Sequence, residues 1–170
     1  MTNRVSGRSI HSAILEKRVV GDVVTRFELY QSIVLPRPLH DVFPFFAAPE
    51  NLEQLTPPWL HFRIRSALPI VMSAGVSIDY RLRLHGIPLG WTSEITVWEP
   101  PNRFVDEQRR GPYRLWRHEH LFEACNGTTI ASDRVSYALW GGRIMDRLLV
   151  RRDLDRIFAY RHQQLRAHFG

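Results

Sequence analysis

Between Phe62 and Leu139 the sequence alternates apolar and polar residues in one run after another, with turn residues between the runs. Alternation of this period puts successive side chains on opposite faces of a β-strand. An earlier run, from Phe27 to Ile33, has the same period. The pattern therefore predicts seven strands, one before and six after a break in the alternation.

Three helices are predicted around these strands. Two short ones, about Leu39–Ala47 and Pro49–Leu55, fill the break after the first strand, and a long one, about Gly142–His168, closes the chain. Spacings of three and four residues mark an amphipathic stripe on the long helix. The stripe contains Val150, Leu154, Ile157 or Phe158, Arg161 and Leu165. One helix can cover only one face of a sheet, so a sheet that curls around it would enclose a cavity.

Composition is that of an ordinary globular protein. The 170 residues are 44% hydrophobic and 24% charged, enough for one domain with a buried core. The net charge of +6 points to nucleic acid only if the basic residues cluster. Lys17 is the only lysine, so 22 of the 23 basic residues are arginines, and they are spread along the chain. We therefore expect no nucleic-acid partner.

Cys125 is the only cysteine, which excludes an internal disulfide and a cysteine-based metal site and fits a reducing compartment. No apolar run approaches the length of a membrane span, so no stable membrane insertion is expected. The first residues lack the apolar core and cleavage site of a signal peptide. These features predict a cytoplasmic protein, with residues 1–24 as an N-terminal extension and residues 25–170 as one domain. They do not indicate an oligomeric state.

The run from Trp116 to Phe122 contains the strongest indication of a functional site in the sequence. Its even positions, Trp116, His118, His120 and Phe122, share one face of a strand. That face is mostly aromatic, yet it holds two titratable rings. Such a mixture is typical of a pocket wall, and it predicts a small-molecule site.

The turn after this run fixes the neighbouring strand. Asn126-Gly127 is a strong signal for a two-residue type I′ hairpin turn. With those two residues as the turn, the opposed pairs include His118–Val135, His120–Asp133 and Trp116–Tyr137. Directly opposed residues share a face. Asp133 and Tyr137 are therefore predicted to join the histidine face.

Two earlier turns extend the same argument. A loop centred on Pro112 and a four-residue turn Glu99–Asn102 set Asp106 opposite His118, Phe104 opposite His120, Ile95 opposite Asp106 and Ser93 opposite Gln108. The predicted ligand-binding residues of the inner face are Tyr80, Trp91, Ser93, Ile95, Phe104, Asp106, Gln108, Trp116, His118, His120, Phe122, Asp133 and Tyr137. Trp59, after two prolines, is a further candidate at the pocket mouth.

The histidines and aspartates of this face admit three interpretations, because a buried carboxylate is costly unless it is paired. The three are the polar end of a ligand pocket, a structural network across the sheet, and a zinc or iron site. No tight motif fixes a third ligand, so no metal and no cofactor is expected. If the site is catalytic, the candidates are His118, His120, Asp106 and Asp133. His120–Asp133 or His118–Asp106 would then act as an acid–base pair.

Three segments are distinctive when taken together: residues 45–58 (FFAAPENLEQLTPP), residues 104–122 (FVDEQRRGPYRLWRHEHLF) and residues 133–137 (DRVSY). They resemble the ligand-binding SRPBCC group of the START-like superfamily, which includes polyketide cyclase-like proteins. The similarity extends from about Thr25 to Phe169.

The resemblance implies an α+β helix-grip fold. In that fold a seven-stranded antiparallel sheet wraps around a long C-terminal helix, and two short helices after the first strand close one end. It also implies a largely hydrophobic cavity. The expected function is the binding of a hydrophobic small molecule (a lipid, a polyketide or an aromatic compound) between sheet and helix. The alternative is a cyclase- or dehydratase-type enzyme that uses a His–Asp pair in that cavity.

Overall fold

The computed structural model describes residues 25–170, so the predicted N-terminal extension lies outside the described residues. The described part contains one antiparallel sheet with the order β1-β7-β6-β5-β4-β3-β2. Its strands are β1 (Arg26–Leu35), β2 (Arg63–Ile64), β3 (Ser77–Leu84), β4 (Ile87–Glu99), β5 (Arg103–Arg110), β6 (Leu115–Cys125) and β7 (Thr128–Ala138). The predicted number of strands is confirmed.

The helices also follow the predicted order, with two interruptions. The first is α1 (Leu39–Phe46), and the second is split into a 3₁₀ turn (Pro49–Asn51) and α2 (Leu52–Leu55). A further 3₁₀ turn covers Pro58–Leu60. The C-terminal helical segment consists of α3 (Gly142–Met145), a π-helical turn (Asp146–Val150) and α4 (Arg151–Phe169). This arrangement confirms the α+β helix-grip fold. Within residues 25–170, no helix is long and apolar enough to cross a membrane.

The C-terminal helix packs its predicted stripe against the inner face of the sheet. Its buried residues are Leu154, Phe158, Arg161, Leu165 and Phe169. Leu154 and Phe158 join Phe27 and Tyr137 in one core cluster. Leu165 and Phe169 join α1 and the ring of Phe122 in a second cluster. The two clusters hold the helix along the sheet, and the space left between them is the cavity described below.

The predicted register of the last three strands is confirmed. Asn126 and Gly127 both have positive φ angles, 48° and 77°, as a type I′ turn requires. The turn sets His118 opposite Val135 and His120 opposite Asp133. On the other side of β6, Asp106 is opposite His118 and Phe104 is opposite His120.

The turn between β4 and β5 is one residue shorter than predicted. Glu99 pairs with Arg103, so the turn is Pro100–Asn102. A bulge between Ile95 and Val97 adds the missing residue on β4 and restores the predicted pairs Ile95–Asp106 and Ser93–Gln108. The bulge also changes which side chains face inward. Trp98, not Val97, packs on the rings of Phe43 and Phe104.

Candidate functional site

A cavity of about 230 Å³ lies between the inner face of the sheet and α4. Residues of the two short helices, such as Phe46 and Leu55, line it at one end, and Leu154, Ile157 and Phe158 line the side formed by α4. Nine of the predicted ligand-binding residues line the cavity: Tyr80, Trp91, Ser93, Ile95, Phe104, Asp106, Trp116, His118 and His120.

Two predicted residues lie in the core instead. Phe122 packs edge-on against Phe43 and is buried among α1 side chains. Tyr137 is fully buried, and its hydroxyl donates a 2.6 Å hydrogen bond to the buried carboxylate of Asp146 in the π-helical turn. Both face inward as predicted, but neighbouring side chains separate them from the cavity lining.

Gln108 and Trp59 have other neighbours. The Gln108 amide donates to the carbonyl of Tyr113 at 2.8 Å and accepts from its N–H at 3.3 Å. Gln108 thereby fixes the β5–β6 loop, which contributes Pro112 and Tyr113 to the lining. Trp59 is 45% exposed and lies against Tyr160, with the guanidinium of Arg156 over its ring.

Several residues that line the cavity were not among those predicted from the sequence. Leu82 and Leu84 line the cavity and share the alternation of Tyr80, so the strand pattern carried the signal. Leu89 follows the hairpin turn at His85 and Gly86, whose φ angles are 50° and 83°. Arg161 was placed on the apolar stripe of the helix, and a charged residue on such a stripe is the signal for a functional position.

The two histidines and two aspartates come together as predicted, but the hydrogen-bonded partners are exchanged. Each hydrogen bond runs diagonally between neighbouring strands and does not join directly opposed residues. His118 Nε2 lies 2.9 Å from Asp133 Oδ1, and His120 Nε2 lies 3.1 Å from Asp106 Oδ2. The directly opposed contacts are a 3.6 Å approach of His118 Nδ1 to Asp106 and a 3.0 Å approach of His120 Nδ1 to Asp133. The contact between His120 Nδ1 and Asp133 does not have the geometry of a hydrogen bond. Asp133 lies behind the two imidazoles and does not line the cavity.

These contacts set the protonation of the cluster. His120 has a carboxylate at each ring nitrogen, and ionised carboxylates only accept hydrogen bonds. Burial lowers the pKa of His120, but the hydrogen bond to Asp106, the close contact with Asp133 and the charges of both carboxylates outweigh it and raise the pKa above the ordinary value. Burial and the charge of His120 lower the pKa of His118, against the opposing effect of Asp133. The pKa values of the two neighbouring imidazoles are therefore shifted in opposite directions, so His120 holds a proton more readily than His118.

Both carboxylates are ionised. Burial raises the pKa of Asp133, but the charge of Arg161, the hydrogen bond from His118 and the close contact with His120 bring it well below its usual value. Burial likewise raises the pKa of Asp106, and the hydrogen bond from His120 with the charges that the two imidazoles carry when protonated lowers it overall. Arg161 and, when protonated, His120 balance the two negative charges.

A short chain of hydrogen bonds continues from Asp106 towards β4. The indole N–H of Trp91 donates to Ser93 Oγ at 3.0 Å, and Ser93 Oγ donates to Asp106 Oδ1 at 3.3 Å. Tyr80 lies beside this chain, and burial, followed by the charge of Asp106, raises the pKa of its hydroxyl. The polar groups on the sheet side of the cavity therefore belong to one connected network.

Metal binding was one of the sequence interpretations. Asp106, His118 and His120 present ligand atoms within 4.8 Å of one another, a donor set that zinc could use. In this arrangement, however, one nitrogen of each histidine is hydrogen-bonded to a carboxylate, and the charges balance without a dication. The geometry fits a hydrogen-bonded network better than a metal centre.

Solved structures share this architecture at low sequence identity. Protein Ms6760 from Mycobacterium smegmatis is 15% identical, with 91% of this chain and 96% of that chain aligned and a TM-score of 0.62. Protein CV1439 from Chromobacterium violaceum is 13% identical over 84% and 96% of the two chains, with a TM-score of 0.65. Ginseng major latex-like protein 151 from Panax ginseng is 10% identical over 85% and 97%, with a TM-score of 0.64.

Identities this low establish the fold alone. The class that they define is the helix-grip fold, as the START-like resemblance implied. Residues 35–169 match the family described as "Domain of unknown function (DUF8410)", and the chain belongs to that family. No curated protein matches the sequence.

Proposed function

We propose that this protein binds a hydrophobic small molecule in the cavity between the sheet and the C-terminal helix. The observation that carries the proposal is the composition of the lining. Apolar and aromatic side chains form most of it, and the polar groups of the sheet side are joined in one network. An apolar site with a few convergent polar groups is typical of small-molecule pockets.

The remaining polar side chains of the lining support this proposal. The amide of Asn51 donates to the carbonyl of Phe45 at 2.9 Å, and the hydroxyl of Thr56 donates to the carbonyl of Leu52 at 2.6 Å. These bonds are local to the short helices, so they stabilise the closed end of the cavity. The ligand would be held mainly by burial of its apolar surface, worth about 25 cal/mol per Å².

A neutral fluorescent probe, N-phenyl-1-naphthylamine, tests the proposal. We expect saturable binding of one probe molecule per chain. Leu82→Trp, which adds an indole to the lining, should weaken it by about tenfold or more, since overpacking of this kind costs ~1–3 kcal/mol. Val34→Trp is the control, because Val34 is 59% exposed on β1. Equal affinities in both variants would contradict binding in the cavity.

A second candidate is an enzyme of the cyclase or dehydratase type. The observation in its favour is the imidazole of His118, which lines the cavity and whose Nε2 is hydrogen-bonded to Asp133. In a dehydration, Nδ1 of His118 would take a proton from carbon, and the electron pair of that C–H bond would form a carbon–carbon double bond. The neighbouring C–O bond would break as protonated His120 gives its proton to the hydroxyl, which leaves as water. General acid–base catalysis of this kind typically increases the reaction rate by ~10²–10⁴-fold.

A double variant, His118→Gln with His120→Gln, distinguishes the two candidate functions. Small molecules that co-purify with the protein from its host would be incubated with each form and followed by mass spectrometry. A binding protein should return them unchanged, and the double variant should keep its affinity for the neutral probe within about tenfold. Loss of water from the molecule with the wild type, slowed ~100-fold in the variant, would favour the enzyme.

A further inference from the structure

Arg161 is a buried cation with unused hydrogen-bond donors. Its side chain lines the cavity, and the residue is only 6% exposed. Its Nε lies 3.4 Å from Asp133 Oδ2, but no hydrogen bond joins the guanidinium to any other group within residues 25–170. The carbon of the guanidinium lies 5.4 Å from the ring centre of Phe46.

Asp133 balances the charge of Arg161 without satisfying its donors. One carboxylate oxygen of Asp133, Oδ1, already accepts from His118 and faces His120 Nδ1. The other, Oδ2, lies 3.4 Å from Arg161 Nε. A guanidinium has five N–H donors in a rigid fork. Nε is buried without a hydrogen-bond partner, and the Nη donors make no hydrogen bond within residues 25–170. Donors that stay unpaired in a buried place are costly, so an acceptor from outside the protein would be favourable here.

The position of Arg161 makes this arrangement unexpected for a purely structural residue. It lies on the stripe that packs against the sheet, one helical turn from Phe158 and one from Leu165, both buried. A leucine there would continue the apolar stripe without a desolvation cost. An arginine with free donors at a cavity wall is instead suited to an acceptor that arrives with the ligand.

We propose that Arg161 binds the carboxylate of an amphipathic ligand whose apolar part fills the cavity. A carboxylate presents two oxygens in one plane and matches the guanidinium fork in a bidentate pair. It would occupy the Nη donors, on the side of the fork away from the Nε contact with Asp133. This inference rests on the proposed function, since it names the class of ligand for the same cavity.

The test compares decanoate with decan-1-ol, which share an apolar chain of equal length and differ in the carboxylate. Each would displace N-phenyl-1-naphthylamine from the wild-type protein at neutral pH. We expect decanoate to bind about tenfold or more tightly than decan-1-ol, because a hydrogen bond to a charged group contributes more than one to a hydroxyl. In Arg161→Met this preference should disappear, while decan-1-ol binds within about threefold of the wild type.

Arg152→Met is the matched control, since Arg152 is exposed on the same helix. It should keep the full preference for decanoate. Arg161→Met leaves the Asp133 carboxylate without its cation and can therefore fail to fold. The double variant Arg161→Met with Asp133→Asn removes both charges and should lose the preference in the same way.

The outcomes separate the two proposals. Equal binding of decanoate and decan-1-ol by the wild type would overturn the inference about Arg161 and leave cavity binding intact. A preference for decanoate that survives in both Arg161 variants would overturn it as well. If neither compound displaces the probe, or the probe itself does not bind, the proposed function fails.

Discussion

His118 Nε2 lies 2.9 Å from Asp133 Oδ1, although Asp133 is opposite His120, not His118, in the β6–β7 pairing. The bond therefore runs diagonally across the sheet. Diagonal neighbours are within reach of long and ring-bearing side chains. His120 makes the corresponding diagonal contact with Asp106 on β5, so two rings of one strand connect three adjacent strands.

The two histidines should have opposite effects on the pH dependence of stability. The raised pKa of His120 means that its stabilising effect is complete below pH about 6.5 and is lost as the pH rises through the folded-state pKa. The free energy of unfolding of the wild type should therefore fall towards that of His120→Gln between about pH 6 and pH 9. Urea denaturation at several pH values measures this difference.

For His118 the sign reverses, because burial and the charge of His120 lower its pKa. The unfolded chain then binds the proton more readily than the folded one, so acidification below pH about 6.5 destabilises the wild type. The advantage of the wild type over His118→Gln should shrink as the pH falls from about 7 to 5. If the free energy of unfolding had the same pH dependence in the wild type and both variants, the opposite pKa shifts of His118 and His120 would be contradicted.

The bond between Tyr137 and Asp146 should be important for stability. Tyr137→Phe removes the donor and leaves a buried carboxylate without it, which should cost ~1.5–3 kcal/mol of unfolding free energy. Tyr30→Phe is the control, because the Tyr30 hydroxyl makes a longer, 3.2 Å bond to a neutral serine. That change should cost only ~0.5–1.5 kcal/mol. Equal losses in urea denaturation would show that Asp146 finds another donor.

Two leucines of the C-terminal helix should differ strongly in their contribution. Leu165 is fully buried between the helix and the sheet, so Leu165→Ala should cost ~2–5 kcal/mol. Leu148 is 63% exposed, and Leu148→Ala should change stability by no more than ~0.5 kcal/mol. Thermal or urea unfolding measures both. A large loss at Leu148 would mean that this side chain is covered in solution.

Metal removal should leave the fold unchanged. Because the His–Asp cluster balances its own charges, EDTA should not alter the melting temperature of the purified protein. Elemental analysis of protein purified without any chelator measures its metal content directly. Zinc at one equivalent per chain, together with a lower melting temperature in EDTA, would contradict the hydrogen-bonded network.

The sequence was sufficient to predict the number of strands and the register of β4 to β7 near the site. It did not reveal every cause of that register. Asn126-Gly127 determines the β6–β7 pairing directly, because both residues adopt positive φ. The β4–β5 pairing was also predicted, yet it results from a shorter turn and a compensating bulge at Thr96. Bulges have no reliable local signature, so the inward position of Trp98 could not be predicted from the alternation of β4.

Side-chain directions were the less predictable part of the site. Register places Asp133 opposite His120, but the reach of an imidazole decides that His118 takes the hydrogen bond. Arg161 was visible on the helix stripe, but its role depends on the distance to Asp133, which only packing determines. The π-helical turn at Asp146–Val150 was not predicted either, and its first residue, Asp146, accepts the hydrogen bond from Tyr137.

The diagonal histidine bonds have a consequence for strand alignment. Alternation of apolar and polar residues excludes a one-residue slip of β6, because every side chain would change face, but it permits a slip of two. A two-residue slip in either direction would put the ring of Trp116 or Phe122 where an imidazole now meets a carboxylate. A buried aspartate would then lose its donor, so the polar cluster distinguishes the correct alignment from alternatives that the hydrophobic pattern treats as equal.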